Sequence, residues 1–379
     1  MEHVKARSPS SARATLAALL ERADVQLNGD RPWDLQVHDD RFYGRVLAGG
    51  SLAAGEAYMD GWWDCDALDQ LFYRILRVDL HEDIGWSWRH LWNVVKAVAL
   101  NPQSLARAYQ VGEVHYDRGN DLFERMLDDR MVYSCGYWRD AATLPEAQTA
   151  KLDLICRKLQ LTPGLRVLDI GCGWGSFAEY AAEQYGVEVV GLTISEEQAR
   201  AARERCRDLP VEIRLQDYRK VEDHFDRVVS IGMFEHVGPK NYRTYMKVVR
   251  RCLGDEGLSL LHTIGNHEEG AATEAWIEKY IFPNGYIPSM RQIVEAAEDL
   301  FVTEDWHNFG PDYDRTLMAW ARNFEADWDA LADDYGERFY RMWRYYLYQC
   351  AASFRARRNQ CWQIVLSPDG AEPRYESVR

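Results

Sequence analysis

The stretch Arg166–Ser176, Arg-Val-Leu-Asp-Ile-Gly-Cys-Gly-Trp-Gly-Ser, constrains this chain more than any other. Arg166, Val167 and Leu168 end a buried strand. Asp169, Gly171, Gly173 and Gly175 follow as D-x-G-x-G-x-G, and Phe177 to Gln184 reads as a helix. A strand that turns into a helix through glycines lets the backbone approach a ligand closely, with helix amides pointing at it. Dinucleotide enzymes use G-x-G-x-x-G and close the next strand with an acid. Here Ser176 holds the third-glycine place, and the next strand, Val187 to Leu192, runs into Thr193. That spacing, led by Asp169, fits S-adenosylmethionine better than NAD. By itself a glycine turn specifies only a nucleotide-like cofactor.

After this turn, strands and helices alternate. Glu188–Leu192, Val211–Leu215, Phe225–Ile231 and Gly257–Thr263 read as strands, and Ser195–Arg207 and Tyr242–Cys252 as helices. Such alternation predicts an α/β fold with a mostly parallel sheet and helices on both faces. Ligands then gather at the carboxyl ends of the strands, which puts Asp169, Thr193, Asp217, Glu235 and His262 on one rim. Gln148–Leu159 is an amphipathic helix feeding the first strand, and the aromatic stretch Met131–Trp138 has no period. Further on, Ile281–Gly285 reads as a rigid turn, Phe301–Asp305 as a strand, and Arg315–Phe324 and Arg338–Arg358 as helices. The last helix carries Arg338, Arg341, Arg344, Arg355, Arg357 and Arg358 with no acid between them. It could be a solvated helix or a cationic face for anionic head groups.

The first hundred residues lack nucleotide or metal signals. A helix over Ser11–Ala23 is followed by small strands at Leu35, Val37 and Phe42, then by short helices at Arg45–Ala48, Leu52–Met59 and Leu68–Leu76. This predicts a small α+β domain over 1–100. Trp86, Trp88, Leu91, Trp92, Val95 and Val98 share one helix face, suited to domain packing or to a lipid interface. Asn101-Pro102 opens a linker, 101–113, ahead of an α/β domain over 114–379.

Composition removes several function classes. A net charge of −15 argues against nucleic acid, which needs a basic footprint, and against wholesale adhesion to an anionic membrane. The eight cysteines form no C-x-x-C pair, so no metal site or disulfide framework is expected, and the thiols read as reduced and cytosolic. No stretch approaches the roughly 18–20 apolar residues of a membrane span. The N-terminal Ala14–Leu20 run reads as an amphipathic helix, not a signal peptide.

Taken together, the motifs resemble the cyclopropane-fatty-acyl-phospholipid synthases, methyltransferases that act on unsaturated acyl chains of membrane phospholipids. The matching stretches include Gly112–Asn120, Tyr133-Ser134-Cys135, Val167–Ser176, Gly191–Ser195, Gln216–Arg219 and Gly232–Tyr242. Leu261–Gly265, Lys279–Gly285, Glu304–Gly310, Thr316–Trp320, Phe354–Arg357 and Gly61-Trp62-Trp63 extend the likeness over nearly the whole chain. It implies a class I methyltransferase catalytic domain with a Rossmann-like sheet. The N-terminal domain, engaging lipid or a partner subunit, implies the phospholipid-acting branch. It further implies a cytoplasmic homodimer attached peripherally to the inner face of the membrane.

The implied reaction transfers a methylene from S-adenosylmethionine to a cis double bond, through a carbocation deprotonated by bound bicarbonate. Such chemistry needs a cofactor cradle, a dry aromatic channel and a buried base. By the same resemblance Thr193 and Gln198 replace the usual ribose-gripping acid, Asp217 and Tyr218 flank the adenine, and Tyr133 and Ser134 reach the cofactor from the other side. Asp169, Gly171, Gly173 and Trp174 complete the cofactor set. The positions matching bicarbonate ligands are Cys135, Glu235, His262, Ile264 through its backbone, and Tyr313. Cys135, Glu235, His262 and Tyr313 are also the implied catalytic residues. Taken singly, Cys135 also reads as a small buried hydrophobe, His262 as a core histidine and Glu235 as a helix N-cap charge. Cys350 matches a thiol position of the family, but methyl transfer to an alkene needs no covalent thiol intermediate, so it reads as packing. Phe234, His236, Tyr280, Phe282, Trp306 and Phe309 are channel or core aromatics. Two other readings stay open: a methyl- or methylene-branching alkene methyltransferase, and a lipid-binding scaffold with a dead methyltransferase core.

Overall fold

In the computed structural model, residues 9–78, 120–267, 274–370 and 374–379 are described. The tryptophan-bearing helix and the linker expected between residues 86 and 113 lie outside them. In chain order, α1 (Pro9–Glu21), β1 (Gln36–Val37), α2 (Arg41–Met59), β2 (Trp63–Asp64) and α3 (Leu68–Arg77) come first. Then follow α4 (Asp121–Met126), α5 (Leu144–Lys158), β3 (Arg166–Ile170), α6 (Ser176–Tyr185), β4 (Glu188–Thr193), α7 (Glu196–Arg205), β5 (Val211–Leu215) and β6 (Phe225–Ile231). The chain continues through α8 (Tyr242–Cys252), β7 (Leu253–Asn266), α9 (Ala275–Tyr280), α10 (Met290–Ala297), β8 (Val302–Asn308), α11 (Pro311–Ala326), α12 (Ala332–Arg355) and β9 (Asn359–Ser367).

Seven strands form one sheet in the order β5-β4-β3-β6-β7-β9-β8. The first five are mutually parallel, and β9 runs antiparallel between β7 and β8. From β3 the chain winds outward through β4 and β5, then returns to the other side of β3 as β6. That reversal of direction between β3 and β6 is where an open α/β sheet leaves a crevice for a ligand. Apolar side chains of both sheet faces fill two cores. One packs Leu168, Val228 and Leu261 against α8 and α10, the other Val167, Val189 and Val229 against α5 and α6. This is the expected α/β class with a mostly parallel sheet. Sequence reasoning missed β9. Its Cys361–Leu366 run is buried throughout, and a strand covered on both faces shows no polar alternation.

By packing, the chain divides into two units, and residues 274–283 and 317–358, expected within the domain over 114–379, fall with the N-terminal segment. One unit takes in 9–78, 274–283 and 317–358; the other takes in 120–267, 284–316, 359–370 and 374–379. The physical reason is aromatic. In the first unit Trp276 of α9 lies 4.5 Å from Tyr345 of α12, and Tyr345 meets Tyr58 at 5.7 Å and Phe72 at 4.8 Å. Ring pairs of this size favour burying these late helices with the N-terminal segment. Two further corrections belong to this unit. Phe42 is helical, and the two expected helices around Gly49-Gly50 are one helix bent at Gly50, whose φ is +60°. The arginines of α12 are largely committed inside the unit: Arg341 pairs with Asp64, Arg344 with Glu325 and Arg355 with Asp69. Among the described residues no helix is long and apolar enough to cross a membrane.

Candidate active site

At the carboxyl end of β3 the backbone makes the expected glycine turn. Gly171, Gly173 and Gly175 have φ of +86°, +55° and +84°, values that a side chain would strain. At Gly171 an added Cβ would also lie 2.7 Å from Met233, so the position is closed to any larger residue. The amides of Gly171 and Cys172 both donate to the Leu192 carbonyl, at 3.0 and 2.8 Å, which ties the turn to β4. Gly175 caps α6 without a side chain, leaving first-turn amides to face a ligand.

The turn lines a cavity whose wall includes Tyr133, Ser134, Asp169, Gly171, Gly173, Trp174, Thr193, Gln198, Asp217 and Tyr218. All ten residues expected around the cofactor therefore meet in one place. Thr193, the last residue of β4, donates from Oγ1 to Gln198 Oε1 at 3.0 Å, and Ser195 caps α7 by accepting from the Gln198 amide. The Thr193–Gln198 pair thus closes the cavity wall at the end of β4. Asp217 is buried at the end of β5, its two oxygens held by the Arg219 guanidinium at 2.8 and 2.6 Å. Asp169 is 1 % exposed, and among the described residues neither of its oxygens has a hydrogen-bond partner. Burial pushes it up to about 7, against the pull of Lys151.

The second expected set does not line this cavity, but it does converge. Tyr133, Ser134 and Cys135 are consecutive: the first two face the cavity, and Cys135, fully buried, lies beside Cys361 of β9. In the sheet register His262 sits level with Ile231, the last residue of β6, and pairs across with Gln363. Its Nε2 is 3.4 Å from Cys361 Sγ, and its Nδ1 is 3.3 Å from Gln363 Nε2. With the amide donating to Nδ1, the neutral ring carries its proton on Nε2. Burial, then Lys151, Lys158 and His307, hold the ring well below the usual histidine range, so it stays neutral. Glu235 Oε1 accepts from the Ile264 amide at 2.6 Å, while among the described residues Oε2 has no partner. Burial pushes this carboxyl up to about 7. Tyr313 of α11 is held well above its ordinary range by burial, with Cys135, Cys361, Glu235 and Tyr133 as neighbours.

The remaining candidates separate. Phe309 meets the His262 ring edge-on at 5.6 Å, whereas Phe234 stacks on Tyr242 in the core and Trp306 packs on Trp362. His236 lines the cavity, while Tyr280 and Phe282 belong to the other unit. So does Cys350, whose thiol burial pushes up to about 12, the opposite of an activated nucleophile. Sequence reasoning missed Cys361 and Lys151. The latter left a signal: it falls on the buried stripe of α5 with Gln148, Leu152, Ile155 and Lys158, where a lysine is anomalous.

A glycine turn after β3 and a crevice at the sheet reversal, with a buried cluster of ionisable side chains beside it, fit an S-adenosylmethionine-dependent methyltransferase. Residues 103–364 match the family model described as mycolic acid cyclopropane synthetase, and the chain belongs to that family. It is 56 % identical over 349 residues to the cyclopropane-fatty-acyl-phospholipid synthase of Escherichia coli K12, covering 92 % of this chain and 91 % of the relative. Cyclopropane mycolic acid synthase 3 of Mycobacterium tuberculosis is 38 % identical over 262 residues, covering 64 % of this chain and 91 % of its own. Among solved structures, a cyclopropane synthase from Mycobacterium tuberculosis superposes with a TM-score of 0.65 at 33 % identity, covering 68 % of this chain and 98 % of that one. A mycolic acid cyclopropane synthase complexed with SAH and CTAB gives 0.64 at 33 % identity, with the same coverage.

Proposed function

We propose that this chain transfers a methylene from S-adenosylmethionine to the cis double bond of unsaturated phospholipid acyl chains, forming a cyclopropane ring. The observation that carries this reading is the Tyr133-Ser134-Cys135 stretch. It joins the cofactor cavity to the buried Cys135–Glu235–His262–Tyr313 cluster within three residues. An alkene and a methyl donor must meet beside a group that takes up a proton, and this stretch supplies that adjacency. The likeness to the Escherichia coli relative over nearly its whole length supports phospholipid as the substrate.

S-adenosylmethionine, when bound, supplies an electrophilic methyl carbon. The residues that fit it are the glycine turn, Asp169 with its two orphan oxygens, and the Thr193–Gln198 pair. The cluster then serves the substrate. Its burial excludes water that would capture a carbocation, and the neutral His262 and Tyr313 present hydrogen-bond donors. The proton lost from the transferred carbon passes to a bound anion, and Glu235, poised near neutrality, holds that anion's side of the site by trading its own proton with it.

We assign that anion as bicarbonate, held by Cys135, Glu235, His262, Tyr313 and the Ile264 amide. The neutral donor set suits it. Since the Ile264 amide is engaged by Glu235, an anion taking that amide requires Glu235 to be protonated or to turn aside. By the family resemblance we take it to act as a cytoplasmic homodimer, and a substrate that lies in a bilayer supports peripheral contact with the inner face of the membrane. The test is incubation with vesicles of cis-unsaturated phospholipid and labelled cofactor, with bicarbonate stripped and restored. Label entering acyl chains in a bicarbonate-dependent way supports the acyl-chain methyl transfer and the anion. Transfer indifferent to bicarbonate overturns the anion, and calorimetry without cofactor binding would revive the scaffold reading.

A further inference from the structure

The cofactor cavity holds a buried charge. Lys151 of α5 is 0 % exposed, and its Nζ donates to Ser134 Oγ at 2.8 Å. A lysine that trades bulk water for one hydroxyl gives up most of its solvation, so opposite charge must offset the loss. Asp128 faces it from the segment after α4 and Asp169 from the end of β3, with Cys135, His262 and Cys361 as the other titratable neighbours. Asp169 in turn is faced by Lys151, Cys172, Cys206 and Tyr245. Lys151 is the positively charged group in that company. Both of its polar neighbours toward the cavity, Ser134 and Asp169, belong to the cavity wall.

We propose that Lys151 is a positioning residue for the cofactor: anchored on the Ser134 hydroxyl, its ammonium keeps Asp169 a carboxylate, able to accept hydrogen bonds from the cofactor. The inference rests on the cofactor reading of the cavity. Burial lowers Lys151 to about 8 and raises Asp169 to about 7, so the pair sits close to exchanging its proton. Without the ammonium, desolvation acts on Asp169 unopposed, and the acid stays protonated to higher pH. A protonated Asp169 carries no charge and cannot accept at both oxygens.

The test is calorimetric binding of S-adenosylmethionine and of S-adenosylhomocysteine to the full chain, from about pH 6 to about pH 9. Each variant's affinity is taken as a ratio to wild type at the same pH, so titration of the ligand cancels. For Lys151→Met the ratio should show binding about ten-fold weaker at pH 7 and within about two-fold near pH 9. Asp169→Asn should bind weakly with no pH dependence of its own. Lys151→Met combined with Asp169→Asn should be no weaker than Asp169→Asn, because Lys151 acts through that carboxylate. A loss uniform across pH, or none, overturns the inference while wild type still binds. Should Lys151→Met fail to fold by thermal melting, Asp169→Asn decides: if it retains the wild-type pH dependence, the inference is wrong. Absence of binding by wild type at every pH is a distinct result, and it overturns the cofactor reading and this inference together.

Discussion

The cofactor cavity and the buried cluster share the Tyr133–Cys135 stretch but are built by opposite means. The cavity leans on backbone: three left-handed glycines, the amides of Gly171 and Cys172 tied to Leu192, and an uncapped helix start, most of it within Asp169–Ser176. The cluster is made of side chains drawn from the 131–138 stretch, the segment after β6, β7, α11 and β9, and burial sets its chemistry. A cradle of backbone fixes where a ligand sits. A cluster of desolvated side chains fixes which proton can move. The two should therefore fail separately when altered.

The sharpest separation is Glu235→Gln. If Glu235 has the acid–base role proposed for it, this loss should lower turnover about a thousand-fold. Cofactor affinity by calorimetry should stay within about three-fold, since Glu235 does not line the cavity. A parallel fall in both would erase the division between the two regions. The same variant should next show its effect on stability. Glu235 titrates at about 7 in the fold against 4.5 unfolded, so the folded chain keeps a proton that the unfolded chain releases. Stability is thus lost as pH rises from about 4.5 to about 7, by up to roughly 3 kcal/mol from this group. Thermal unfolding of Glu235→Gln should accordingly gain on wild type at pH 8 and not at about pH 4. An equal difference at both pH values would mean that the carboxyl is not held protonated.

On the other side of the comparison, Gln198→Ala removes the partner of the Thr193 hydroxyl at the cavity wall. About ten-fold should be lost in cofactor affinity, with turnover at saturating cofactor within about two-fold of wild type. The smallest effect belongs to Cys350→Ser. Its thiol is held protonated by burial in the other unit, so activity should stay within about two-fold, measured as label transferred to vesicles. A large loss there would return a reactive thiol to the mechanism.

The same contrast explains what could be read from sequence. The glycine turn and the strands β3 to β7 were legible because their signals are local: alternating glycines, apolar runs and caps such as Ser195. The cluster's members are separated by up to about half the chain, and each has an ordinary structural reading, so their meeting was legible only through the resemblance. Cys361 escaped because β9, buried on both faces, carries no period. Lys151 escaped because its helix was read for its apolar stripe and not for the charge inside it. The arginines of α12 show the converse. A cationic run looked external, yet Asp64, Asp69 and Glu325 lie within its own unit to take it up.

Most directly, the central claim is tested by the structure of the lipid product. Vesicles of cis-unsaturated phospholipid should be incubated with the chain and S-adenosylmethionine, and the acyl chains examined by mass spectrometry and proton resonance. Proton loss from the newly transferred carbon predicts acyl chains that have gained one CH2, contain a cyclopropane ring and have lost the olefin. Acyl chains that gain the carbon but carry a double bond in place of the ring would contradict it.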